Sequence, residues 1–259
     1  MRKHRMLTLM ATLVFIFLSL PLLIIVVTSF GEAEIIQFPI HGFTLDWYGV
    51  VFASEAFMSS MKLSLIVGLM ATVLALLVGI PISYVLARYP IKGKNMFRDF
   101  FLSPLFIPGI VVGYVLFQFI VVQLRIPIFI GLLIGHFLIS VPYIIRVVGS
   151  SMQQLDTSIE EVAWTLGCGR LRCFIQIVLP NIFTGIFAAF MLAFVNSFNN
   201  IPVSMFLSGP GVTTLPTALL SYMEYNYDPS VSAISVILMV ITIGLMVVIE
   251  KTMGLASIS

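Results

Sequence analysis

Apolar residues in this chain come in long unbroken runs, and the charged residues fall between the runs. Nothing charged lies between Arg5 and Glu32, and further charge-free windows cover 63–87, 100–124, 126–145, 173–223 and 229–249. Crossing the hydrocarbon core of a bilayer takes about 20 apolar residues, so each window is long enough to span it. The 173–223 window could hold two helices. Its second half, however, reads Ser208-Gly209-Pro210-Gly211-Val212-Thr213-Thr214-Leu215-Pro216. Gly-Pro steps mark turns, and exposed loop backbone is not tolerated in lipid. The pattern therefore predicts one span there, followed by a re-entrant or surface loop. Six spans result, at 7–30, 63–87, 100–124, 126–147, 178–205 and 230–250.

Charge sets the orientation. With the N-terminus inside, the cytoplasmic set is Arg2, Lys3, Arg5, Arg88, Lys92, Lys94, Arg98, Arg146, Arg170, Arg172 and Lys251, leaving only Lys62 and Arg125 outside. That asymmetry follows the positive-inside rule and puts both termini in the cytoplasm. Residues 1–30 read as a retained first helix, because the apolar stretch exceeds a signal-peptide core and no small-x-small cleavage site follows. Trp47 and Tyr48 in the first outer loop suit a membrane interface.

Composition removes the alternatives. Of 259 residues, 60% are hydrophobic and 9% charged, whereas a soluble domain carries roughly a quarter of its residues as charges. Barrel strands alternate apolar and polar positions, which these runs do not. The fold class is an all-α membrane protein, a single transmembrane domain over 1–259. Cys168 and Cys173 fall in a predicted cytoplasmic segment and read as reduced structural thiols.

Gly109-x3-Gly113 and Gly131-x3-Gly135 each place two small residues on one helical face, where helices in lipid approach closely. Pro104 and Pro108 are expected to start or bend the third span, and Pro142 to kink the fourth. Polar residues inside spans carry more information, because lipid makes them expensive. Asn196, Asn199 and Asn200 are spaced to share a helical face, and with Tyr143 they are candidates for a translocation pathway. Hydrogen bonding between helices accounts for the three amides equally well. Gln118, Gln123 and His136 stand singly and read as packing or interface residues.

No catalytic constellation emerges and no metal site is expected. Gly93-Lys94 lacks the preceding glycine of a phosphate loop, and there is neither a His-Glu-x-x-His helix nor a Gly-x-Ser-x-Gly elbow. The intramembrane carboxylates of a proton-driven transporter are also missing. Uphill transport by such a chain would draw its energy from another subunit.

The longest predicted cytoplasmic segment is 149–176. Asp156, Thr157 or Ser158 can cap a short helix, Glu160 and Glu161 suit its first turn, and Gly167 and Gly169 break it. A second helix then runs into the membrane. This helix–turn–helix offers a docking surface for a protein. It reads Glu161-Val162-Ala163, three residues, Gly167, nine residues, Ile177-Val178-Leu179-Pro180, and here the chain resembles the membrane subunits of type I ATP-binding-cassette importers, whose signature is Glu-Ala-Ala, three residues, Gly, nine residues, Ile-x-Leu-Pro. Val162 for alanine is the one departure.

The resemblance implies that Glu161 makes a polar contact to an ATPase subunit, that Ala163 permits close approach, and that Gly167 makes the turn, with Leu179 and Pro180 closing the motif. It implies no cofactor in this chain, ATP and Mg bound by the partner ATPase dimer, a second and related permease, a periplasmic solute-binding protein, and a place in the bacterial inner membrane. Phe43-Thr44-Leu45-Asp46-Trp47-Tyr48, the stretch 86–94 and the stretch 204–216 extend the similarity to the polyamine-type (spermidine/putrescine) branch. Polyamine members commonly carry an acidic pair where this chain has Asn199-Asn200. Two amides offer a cation no countercharge, which implies a less cationic cargo, amino acid-like or opine-like, beside the polyamine alternative. A stand-alone secondary transporter or channel is the competing class; it leaves the Glu161–Pro180 spacing unexplained.

Overall fold

The computed structural model describes the backbone of residues 2–252, and their side chains apart from 2–5, 245, 246 and 248–252. The terminal basic residues Arg2, Lys3, Arg5 and Lys251, used above for orientation, therefore lie outside the described side chains. The described residues are helical, with no strand beyond an isolated bridge between Gly209 and Val212. In chain order the helices are α1 (Arg2–Thr28), α2 (Asp46–Ala53), α3 (Glu55–Arg88), α4 (Lys94–Leu102), α5 (Gly109–Leu116), α6 (Ile128–Gln154), α7 (Ser158–Thr165), α8 (Arg170–Cys173), α9 (Leu179–Asn181), α10 (Phe183–Phe198), α11 (Ile201–Phe206), α12 (Leu215–Met223) and α13 (Ser230–Thr252). Wider helical turns at Phe117–Gln123 and Phe174–Val178 prolong α5 and α8.

Three helices, Met6–Thr28, α3 and α6, are long and apolar enough to cross a membrane, and five spans result if two bent pairs each count as one. The first bent pair covers the span expected over 100–124 and turns where Pro104 and Pro108 are expected to start or bend it. Lys94–Leu105 and Gly109–Gln123 meet at 94°. Pro108 has no N–H to give and stands in extended conformation just ahead of α5. The second covers the start of the span expected over 178–205 and adds a bend that the sequence did not announce. Arg170–Asn181 and Phe183–Phe198 meet at 72°, where the Asn181 side chain donates to the Ile177 carbonyl at 2.7 Å and so ends the lower segment. The chain breaks again at Asn199 and Asn200 before α11. By contrast α6 runs unbroken through Pro142.

The chain divides into two compact units, residues 1–59 with 218–259, and residues 60–217. In the first, α1 leaves large apolar side chains such as Phe15 and Phe17 exposed, the state expected of a helix whose solvent is lipid. Thr28 Oγ1 meets Ser232 Oγ of α13 at 3.0 Å. Past α1 the chain is tied by polar groups: Trp47 Nε1 donates to the Gly31 carbonyl at 2.8 Å and Tyr48 hydroxyl meets Ser29 Oγ at 2.7 Å.

In the second unit, α6 packs against α10 around Ile144, Val148, Met152, Val178, Ala189 and Ala193. A second cluster joins Val67, Leu132 and Ile139 to Val203 and Leu207 of the α11 segment. Both glycine pairs serve this packing. A Cβ on Gly113 would stand 2.6 Å from the Pro202 carbonyl oxygen, and one on Gly135 would stand 2.7 Å from Leu207. The short α11 is thus seated in a slot that glycine keeps open between α5 and α6.

Candidate functional site

The segment from Leu155 to Asn181 folds as a helix–turn–helix. Asp156 starts it, its Oδ1 accepting the Ser158 N–H at 3.0 Å, and this bond holds the Asp156 carboxyl below its ordinary value. After α7, the Gly167 N–H bonds to the Trp164 carbonyl and the Cys168 N–H to the Ala163 carbonyl. Gly167 stands at φ +86°, a left-handed conformation that makes glycine the default there. The return stretch begins at Arg170, whose guanidinium lies 5.9 Å from the centre of the Trp164 ring.

The residues of α7 divide between two faces. Ala163 is buried, while Glu161 is exposed and its carboxylate makes no hydrogen bond or ion pair among the described residues. Beside it Val162, Leu166 and Leu171 are 57%, 83% and 72% exposed. Exposed apolar side chains on the same helix–turn–helix as a carboxylate without a side-chain partner suit a protein contact. Leu179 is half-buried and Pro180 exposed at the start of α9, directly after the wide segment. So Glu161, Ala163 and Gly167 belong to one short element, with Leu179 and Pro180 on the returning one.

Glu160 faces inward and is 1% exposed. Its Oε1 accepts from Arg88 Nε at 2.5 Å and its Oε2 from the Tyr84 hydroxyl at 2.7 Å. Sequence reasoning passed over this residue in favour of its neighbour. The available signal was Tyr84 and Arg88, one turn apart at the end of a span and thus on one face.

The candidate pathway residues are only partly brought together. Tyr143 hydroxyl donates to Asn196 Oδ1 at 3.1 Å, and Tyr143, Asn196 and Asn200 line a cavity of about 170 Å³ with Gly109, Ile139 and Val203. Asn199 is exposed and lies outside it. The expected single stripe of three amides is corrected: α10 ends at Phe198, so Asn199 and Asn200 sit in the break. Asn200 caps α11 there, its Oδ1 accepting the Val203 N–H at 2.9 Å. His136, read as a lone packing residue, is buried and bridges the break. Its Nδ1 lies 2.8 Å from Ser197 Oγ of α10 and its Nε2 lies 3.0 Å from Ser204 Oγ of α11. No cluster of potential metal ligands occurs among the described residues.

The described residues thus combine apolar helices of membrane-spanning length with an ordered helix–turn–helix whose outer face is exposed. The description "binding-protein-dependent transport system inner membrane component" matches residues 79–251. The chain belongs to that family, and it is a permease subunit of an ABC importer. Among its relatives are the putrescine transport system permease protein PotI of Escherichia coli K12, 31% identical over 87% of this chain and 82% of that protein. The spermidine/putrescine transport system permease protein PotC of the same organism is 27% identical, over 91% and 89%. In fold, the chain is similar to one in the crystal structure of a bacterial ABC transporter that imports the acidic polysaccharide alginate, with TM-score 0.70 and 17% identity across 100% of this chain and 99% of that one.

Proposed function

We propose that this permease moves a small polar solute from periplasm to cytoplasm, on energy from ATP and Mg held by a separate ATPase dimer. It does so in the bacterial inner membrane beside a second, related permease, and receives its cargo from a periplasmic binding protein. Six spans with both termini cytoplasmic complete the topology: the three long helices, the two bent pairs and α13, whose 23 residues reach across about 30 Å of hydrocarbon. The observation that carries the reading is the outward surface of α7 and its turn, where Glu161, Val162 and Leu166 are exposed while Glu160 and Ala163 anchor the same helix from behind. Glu161 makes the polar contact to the ATPase, Ala163 keeps α7 close against its own chain, and Gly167 makes the turn. Leu179 and Pro180 bring the chain back into the bundle.

The cavity at Tyr143, Asn196 and Asn200 is the candidate solute contact, with Asn199 beside it at the break. Its neutral donors and acceptors favour a solute of low charge, amino acid-like or opine-like, while the cargo named for the relatives makes putrescine the first to try. Co-purification tests the core of the proposal. The wild-type chain retains its ATPase through detergent extraction, and Glu161→Ala and Gly167→Asp release it. Retention in both variants rejects α7 as the docking element. Uptake of putrescine, spermidine and neutral amino acids by the reconstituted complex then settles the cargo.

A further inference from the structure

The geometry points to Glu160 as a positioning residue, the joint through which movement of a docked α7 is delivered to the cytoplasmic ends of α3 and α6. Arg88 is the last residue of α3, and its guanidinium engages two elements at once. Nε meets Glu160 of α7 at 2.5 Å, and Nη2 donates to the carbonyl of Leu155, the residue that ends α6, at 3.0 Å. Tyr84, a turn earlier on the same face of α3, supplies the second bond to Glu160 and lays its ring against Phe174, with centroids 4.7 Å apart. Phe174 lies on the return stretch beyond Gly167. One cluster therefore fastens the end of α3 to the end of α6, to α7, and to the chain on the far side of the turn.

Why an ion pair stands there is the informative part. A buried pair loses its hydration, and apolar side chains of similar volume hold a fold at least as well. Apolar contacts, however, let surfaces slide at little cost. Here both oxygens of Glu160 are occupied, by donors from different side chains of α3, in a site where Tyr84 and the Arg88 side chain are each 9% exposed and Glu160 1%. Displacing α7 along or across α3 would leave a buried carboxylate without its partner, so the two helices move together. The residues of α7 that would meet another subunit, Glu161 and Val162, are exposed to solvent while Glu160 and Ala163 are buried. The helix is thus gripped from behind and free in front, the arrangement required of a lever.

This inference rests on the docking reading of α7, and the test separates the two. Spin labels are placed at Ser158→Cys on α7 and Leu77→Cys on α3, in a Cys168→Ser, Cys173→Ala background of the full complex in nanodiscs. Their separation is measured without nucleotide and after trapping with ATP and vanadate. In the wild-type background the separation is the same in both states. In Glu160→Gln it changes on trapping by roughly 2 Å or more, the scale of helix shifts in switching transitions, while the ATPase stays bound. Tyr84→Phe, which keeps the ion pair and the ring contact, shifts in the same sense. Exchanging the charges in Arg88→Glu/Glu160→Arg returns the separation to the wild-type value. A wild-type separation that changes on trapping, or a Glu160→Gln complex that behaves as wild type, overturns the joint. Loss of the ATPase from the wild-type complex on purification overturns the docking reading instead.

Discussion

Glu160 and Glu161 are adjacent in the chain but differ in surroundings: the carboxylate of the first is 1% exposed and paired with Arg88, that of the second is exposed and unpaired. Consecutive residues on a helix lie about 100° apart, so a short helix lying on a protein surface can separate its neighbours into an anchoring side and a presenting side. The two carboxylates accordingly fail in different ways. Glu161→Ala leaves the fold intact and weakens subunit contact, whereas changes at Glu160 disturb the chain itself.

The stability side of that contrast is measurable. Arg88→Ala strands the Glu160 carboxylate in a buried site, which costs about 3–5 kcal/mol and lowers the thermal unfolding midpoint of the detergent-solubilised complex. The double variant Arg88→Met/Glu160→Leu removes both charges and recovers most of that loss. A double variant no more stable than Arg88→Ala would mean that the cost came from lost packing of the arginine stem.

Glycine substitutions should divide by location. Alanine at Gly113 would bring a Cβ to 2.6 Å from a backbone oxygen and 3.1 Å from the Val203 Cα. Backbone cannot rotate aside as a side chain can, so the expected loss is about 1–3 kcal/mol. At Gly149, within α6, nothing lies within 4 Å, and alanine there is neutral or adds up to about 1 kcal/mol from helix propensity. Thermal unfolding of the two variants side by side checks the ordering.

Long-range features of this fold were legible because lipid writes them in composition. The charge-free windows fall on the apolar helices, and the Glu161–Pro180 spacing falls on the helix–turn–helix from Leu155 to Asn181. Bends were less legible. Pro104 and Pro108 marked the first, whereas Pro142 lies within a continuous α6, because proline removes one N–H and fixes one φ while neighbouring helices decide whether the chain breaks. The asparagine trio misled for a related reason. Spacing by three and four places side chains on one face only while the helix continues, and Asn200 itself favours ending it by capping the next segment. Glu160 was hard to single out because the arginine that pairs with it lies 72 positions earlier, with only the Tyr84 and Arg88 spacing to point to it.

His136 is expected to hold the break between α10 and α11. Ser204 Oγ donates to the Asn200 carbonyl at 2.6 Å, so towards His136 it acts as acceptor and Nε2 carries the proton. His136→Leu keeps the bulk but leaves the Ser197 and Ser204 hydroxyls short of a partner, at a cost of about 1–3 kcal/mol. Adding Ser197→Ala to that variant removes one orphaned hydroxyl and recovers part of the loss. An additive cycle, with no recovery, would show that the histidine contributes volume alone.

The start of α7 carries a pH dependence whose sign follows from Asp156. The Ser158 backbone N–H, and then its hydroxyl, hold the Asp156 carboxyl below its ordinary value, assisted by the charge of Arg88. A carboxyl lowered in the folded state favours that state at every pH above its unfolded pKa, and the advantage disappears as pH falls through the folded value. Asp156→Ala removes the acceptor and with it the dependence. Amide hydrogen exchange across Ser158–Thr165 should therefore be faster in Asp156→Ala than in wild type near neutral pH. The two should converge when both are compared at a common pH below the ordinary carboxylate range. Asp156→Asn keeps an oxygen for the Ser158 N–H and should lie between them at neutral pH. If Asp156→Ala matches wild type at neutral pH, the turn is held by the Arg88 cluster and the carboxylate contributes nothing to it.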